Sequence, residues 1–127
     1  MNCPNCNEVL ISVERNRIEV EYCIKCKGFF LDADEWYLIK HELKLPFLVD
    51  DLMNINPSIN NFGEEPKKCP KCGEFMEKIN LGGLVLDRCI NRHGVWFDAG
   101  ELAEYFNKHK TDEKNETISF LGETFYK

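Results

Sequence analysis

The chain has 127 residues, 43% of them apolar, a formal net charge of −6 and seven cysteines. That length allows one domain or two very small ones, and the acid excess works against binding a phosphate backbone with the surface as a whole. No stretch approaches the roughly 18 apolar residues of a membrane span, and the chain starts without the charged-then-apolar segment of a secretory signal, so a cytoplasmic protein with reduced thiols is expected.

Residues 1–44 read as one unit. Cys3-Pro4-Asn5-Cys6 is a tight knuckle that turns two thiols toward a common point. Val9, Ile11 and Val13 then alternate with Leu10 and Ser12, as in a strand. A turn at Arg15-Asn16 leads to a second strand, where Ile18, Val20 and Tyr22 alternate with Glu19 and Glu21 and leave one face wet. This hairpin returns the chain to a second knuckle, Cys23-Ile24-Lys25-Cys26. A helix should follow. Asp32-Ala33-Asp34-Glu35 has the capping-box pattern, and Trp36, Ile39 and Leu43 share one helical face that would pack on the hairpin with Phe29, Phe30 and Leu31 nearby.

Residues 45–68 connect this unit to the next. The connector carries Leu45, Phe47, Leu48, Val49, Leu52, Met53, Ile55, Ile59 and Phe62, too apolar for a solvated tether. Pro46 could start a short helix, and 56–66 read as loop.

Residues 69–109 repeat the first unit. Cys3 and Cys69, Cys23 and Cys89, and Asp32 and Asp98 are each 66 positions apart, and ten identities fall at that offset between 3–40 and 69–106. Phe75, Glu77 and Ile79 take the first strand, Gly82-Gly83 the turn, and Leu84 and Leu86 the second strand. Asp98-Ala99-Gly100-Glu101 repeats the capping box, which argues that Asp98 and Glu101 cap a helix rather than move protons. The tail, 110–127, begins with a charged run and ends in Thr117–Leu121 and Phe125-Tyr126, apolar enough to form an edge strand or meet a partner.

A unit near 40 residues seldom buries enough apolar surface to offset its ordering entropy, so the cysteines should staple it. Disulfides are one staple and a metal the other. Paired C-x2-C in a reduced chain and an odd cysteine count favour the metal. Cys3, Cys6, Cys23 and Cys26 make a closed four-thiolate shell, a structural site. In the second unit Arg92 stands where Cys26 stands in the first, and arginine cannot ligate. Cys69, Cys72 and Cys89 then need another donor, and His93 is one residue further on. His109 is the reserve, and a three-cysteine site with an open corner is the remaining alternative. Two Zn2+ ions are expected, with iron a possible occupant of four thiolates.

The pattern C-P-x-C…C-x-x-C-x-G-x-W-[LF]-D-x-G-E-L, here ending His93-Gly94-Val95-Trp96-Phe97-Asp98-Ala99-Gly100-Glu101-Leu102, resembles the bacterial TFIIB-type zinc finger family in both units. Phe30 and Asp34 in the first unit, and the widened Cys89-to-His93 spacing in the second, depart from it. The resemblance implies a small metal-stabilised α+β fold of two tandem zinc ribbons, each a β-hairpin with two knuckles followed by a short α-helix. It carries the seven cysteines over as zinc ligands, with His93 in the eighth position.

The leading functional expectation is a non-catalytic zinc-binding adaptor, in the transcription setting that the family name suggests. It would meet a protein partner or its own copies through the connector and the tail. Nucleic-acid binding is the alternative. Only the second unit is basic, through Lys67, Lys68, Lys71, Lys78, Arg88 and Arg92, and loading the thiolates makes the chain more acidic still. A third reading is a hydrolase with an open second zinc and Glu101 as base, without any H-E-x-x-H signature to support it.

Overall fold

A computed structural model describes residues 1–15, 18–42, 56, 57, 65–81 and 84–98. The expected hairpin turns at 16–17 and 82–83, nearly all of the connector, the helix expected in the second unit with Glu101 and His109, and the tail lie outside the described residues.

Each unit contributes three strands. The first has β1 (Ile11–Arg15), β2 (Ile18–Tyr22) and β3 (Phe29–Asp32), followed by helix α1 (Ala33–Glu42). The second has β4 (Glu77–Leu81), β5 (Leu84–Arg88) and β6 (Gly94–Phe97). The expected hairpins are β1–β2 and β4–β5. The third strands go beyond the hairpin-and-helix reading, and they change the architecture. β3 pairs with β6, so all six strands form one antiparallel sheet in the order β1-β2-β3-β6-β5-β4.

The register is symmetric. Phe30 pairs with Trp96, its own counterpart at the 66-residue offset, and Phe29–Phe97 maps onto Leu31–Val95. Glu21–Phe30 and Tyr22–Phe29 in one half recur as Asp87–Trp96 and Arg88–Val95 in the other. A pseudo-two-fold axis therefore passes through the Phe30–Trp96 pair, and the two units meet as an isologous dimer would, within one chain.

The central strands are buried on both faces. Phe29, Phe30, Leu31, Val95, Trp96 and Phe97 are all fully buried, which is why they read as unbroken apolar runs rather than alternating ones. By the strand period, Phe29, Leu31, Val95 and Phe97 share one face, where Phe29 and Phe97 stack with centroids 4.8 Å apart. Helix α1 packs on β2, β3 and β6, so the first unit's helix touches the second unit's central strand. Phe30 and Trp96 share the other face, in a cluster with Cys3, Leu10, Cys23, Cys69, Met76 and Cys89.

Two glycines allow this approach. A Cβ on Gly28 would lie 2.6 Å from Trp96 Cζ2 and 2.9 Å from the Phe97 carbonyl oxygen. On Gly94 it would lie 2.5 Å from the Leu31 carbonyl oxygen and 2.6 Å from Phe30 Cζ. Gly28 and Gly94 are counterparts, so each unit seats the other's aromatic ring over its own glycine.

The strand reading of Val9-Leu10 needs correction. Val9 is 70% exposed and its counterpart Phe75 56%, while Leu10 and Met76 are buried. Here the chain forms only isolated bridges, Asn2–Val9 and Lys68–Phe75, before the regular strand begins at Ile11 or Glu77. The knuckle thus turns Leu10 and Met76, rather than Val9 and Phe75, toward the core.

The first capping box is half formed. Asp32 Oδ1 accepts from the backbone N–H of Asp34 at 2.8 Å and of Glu35 at 3.3 Å, as an N-cap does. The Glu35 carboxylate accepts from the Glu19 N–H at 3.2 Å. Glu35 thus ties the helix to β2 instead of closing the box. Among the described residues no helix is long and apolar enough to cross a membrane.

Candidate metal centres

Both clusters are built from knuckles that reverse the chain on a left-handed residue. Asn7 (φ 65°) and Gly73 (φ 79°) are counterparts after the first knuckles. Their N–H groups donate to the Cys3 and Cys69 carbonyls at 2.9 Å. Within the knuckles, backbone N–H groups point at sulfur: Asn5 to Cys3 Sγ at 3.3 Å and Lys71 to Cys69 Sγ at 3.4 Å. Cys26 N–H donates to Cys23 Sγ at 3.3 Å and Asn91 N–H to Cys89 Sγ at 3.4 Å. Such donors stabilise thiolate over thiol.

The later knuckles differ in one respect. In the first unit Lys27 (φ 66°) is the left-handed residue, and its N–H reaches back to Cys23 O at 2.8 Å. In the second it is Arg92 (φ 62°), with its N–H to Cys89 O at 3.0 Å. The turn closes one residue sooner. Arg92 therefore points away, its Nη1 2.7 Å from Glu77 Oε2, and His93 is delivered to the corner that Cys26 fills in the first unit.

The resulting groups are Cys3, Cys6, Cys23 and Cys26, and Cys69, Cys72, Cys89 and His93, with the donor atoms of each group within 4.8 Å of one another. Cys6 and Cys23 sulfurs are 3.5 Å apart, as are those of Cys72 and Cys89, and Cys89 Sγ lies 3.4 Å from His93 Nδ1. A disulfide needs about 2.0 Å. A tetrahedron with Zn–S bonds of about 2.3 Å has edges of about 3.8 Å, so the clusters match zinc coordination and not sulfur–sulfur bonds. All seven cysteines are free. The arrangement fits two zinc ions.

Electrostatics within each cluster point the same way. The Glu8 N–H holds the Cys6 thiol down at about 7, and the Glu74 N–H holds Cys72 down at about 6. Burial pushes Cys69 up to about 12. Hydrogen bonding to Cys6, aided by burial, pushes Cys26 up. Thiolates this close repel one another, so full ionisation of the set requires a cation among them. The second cluster is the more open: Cys72 is exposed, and the Asn91 side-chain amide lies 3.8 Å from its sulfur.

The two clusters are tied across the axis. Asn5, inside the first knuckle, donates from Nδ2 to Asp98 Oδ1 at 2.7 Å. The same oxygen accepts from Trp96 Nε1 at 2.9 Å, and Asp98 Oδ2 pairs with Lys67. Burial alone would raise the Asp98 carboxyl, but hydrogen bonds from Lys67, Trp96 and Asn5 outweigh it and hold it below the usual range. Asp98 thus has a task that the capping-box reading missed. The signal was there: its unit has an indole N–H at position 96 where the first has Phe30, and a buried indole N–H needs an acceptor.

Among the described residues, the basic side chains of the second unit are largely engaged internally. Lys78 pairs with buried Asp87 at 2.6 Å, and Lys67 stands 3.7 Å from the same carboxylate. Fully buried Arg88 pairs with Glu77 at 3.1 Å, and Arg92 pairs with the same oxygen. Lys68 and Lys71 are the exposed remainder, with Lys68 Nζ 5.4 Å from the centre of the Phe75 ring.

A family model described as transcription factor zinc-finger, the TFIIB-type zinc ribbon, matches residues 2–40 and again 68–108. No curated protein matches the chain, and no solved structure does. The two matched stretches together span more than half of the sequence and coincide with the two metal clusters, so the chain belongs to the transcription factor zinc-finger family, in two tandem copies.

Proposed function

We propose that the chain is a non-catalytic adaptor whose two zinc ions are structural, held by Cys3, Cys6, Cys23 and Cys26 and by Cys69, Cys72, Cys89 and His93. The observation that carries this is the position of His93 Nδ1 beside Cys89 Sγ. With His93 as fourth donor, the second shell closes and leaves no corner for water or substrate. A hydrolase would need that corner, and Glu101, its candidate base, lies outside the described residues.

The partner is a protein or a second copy of the chain, met through the apolar connector and the tail. Support comes from the apolar content of 45–68 and 117–126. Two pairs of counterparts, Val9 with Phe75 and Ile24 with Ile90, add exposed apolar surface near the knuckles. Nucleic acid is the weaker reading, because Lys67, Lys78, Arg88 and Arg92 are already paired with carboxylates. Seven free thiols agree with a reducing compartment such as the cytoplasm.

The test combines metal analysis with sedimentation of the full chain and of a chain lacking 110–127. Two zinc ions per chain, and association that weakens on deletion, are expected. A single zinc, or a monomer at every concentration that binds no protein, would overturn the adaptor reading.

A further inference from the structure

We propose that the two metal sites are energetically coupled, so that zinc in one site raises the affinity of the other and the chain fills both together. The proposal rests on the two-zinc assignment and adds to it how the sites communicate.

The route is short and made of named contacts. The Cys23 N–H donates to Gly28 O at 2.9 Å, closing the knuckle that presents Cys23 and Cys26. Gly28 is also the seat of the Trp96 ring, which belongs to the other unit. Conversely, Cys89 N–H donates to Gly94 O at 3.0 Å, and Gly94 seats the Phe30 ring. A zinc ion that orders either knuckle therefore orders the glycine under its neighbour's aromatic side chain. A second tie runs from Asn5, between ligands Cys3 and Cys6, to Asp98, which also accepts from the Trp96 indole.

The cluster containing Phe30 and Trp96 includes cysteines of both sites, so neither knuckle has an apolar core of its own on that face. The first ion must meet the ordering cost of the shared sheet, and the second finds its site already arranged. By linkage the gain is the same whichever site fills first.

The experiment is native mass spectrometry of the full reduced chain, titrated with zinc to half of its final loading. Coupling of about 100-fold leaves only about one chain in ten with a single ion. Independent sites leave about half the chains singly loaded if their affinities are equal, and more if they differ. A singly loaded share below half supports the coupling, and a share of half or more overturns the joint filling of the two sites. A chain that binds no zinc refutes the zinc assignment itself.

Gly28→Ala tests the route. Its Cβ would push on the Trp96 ring, and the singly loaded share should rise toward half while both sites still fill at excess zinc. An unchanged share in a variant that binds two ions overturns the glycine seat as the path. Should the variant not fold, the wild-type titration decides alone.

Discussion

The two halves were built to one pattern and differ where they touch different things. Gly28 and Gly94 are identical because each lies against the other unit's ring, where any side chain would collide. Asp32 and Asp98 are also identical, yet Asp32 caps a helix while Asp98 collects an indole, an amide and an ammonium from three directions. Cys26 and His93 are unlike in chemistry and one residue out of step, yet they fill the same corner. At the axis the backbone approach dictates the residue; at the metal only the donor atom's position matters, and at the cap the neighbours decide the role.

His93→Ala should break the comparison at its largest. Outer partners of metal ligands are worth about 10–100-fold in affinity, so losing a ligand should cost the second site more than about 100-fold. The Co2+-substituted protein would keep the four-thiolate absorption of the first site and lose the signature of three thiolates with one imidazole. Full retention of both bands would show that His93 is not the fourth donor.

Gly94→Ala comes next, because its Cβ meets a backbone oxygen that cannot swing aside. A loss of about 3 kcal/mol in denaturant unfolding is expected, at the upper end for overpacking. A change under about 1 kcal/mol would mean that β3 and β6 are not held at this separation.

Asp98→Asn should cost about 2 kcal/mol, since the Lys67 ammonium beside it is mostly buried. Burial works against the charge on Lys67, but Asp98 outweighs it and raises the Lys67 value. The pair's contribution is therefore full between the ordinary carboxylate and ammonium values, roughly pH 4 to 10. It fades as pH falls through the depressed Asp98 value, and again as pH rises through the raised Lys67 value. The gap between wild type and variant should narrow at both ends, and a gap constant from pH 7 to 11 would contradict the pairing. Asp32→Ala, at the counterpart position, should cost only about 1 kcal/mol, the usual worth of an N-cap. Equal losses at the two positions would erase the distinction between their roles.

Much of this was legible beforehand. Cys3, Cys6, Cys23 and Cys26 announce their cluster because ligand spacing is local and thiolate chemistry is specific. The β1–β2 and β4–β5 hairpins and the Asp32 cap follow from neighbours within a few residues. The strands at Phe29–Asp32 and Gly94–Phe97 carried a signal too, a short unbroken apolar run, though such a run does not by itself tell a strand from a packed turn.

By itself, then, the amino-acid order determined the duplication, the seven thiol donors and the hairpins that carry them, since each depends on spacing along the chain. Only the tertiary structure decided that the halves share one sheet, that Arg92 turns away to admit His93, and that Asp98 holds the first knuckle to the second strand set. Those outcomes depend on residues up to 93 positions apart meeting in space, as Asn5 and Asp98 do, and no local pattern encodes which of them will meet.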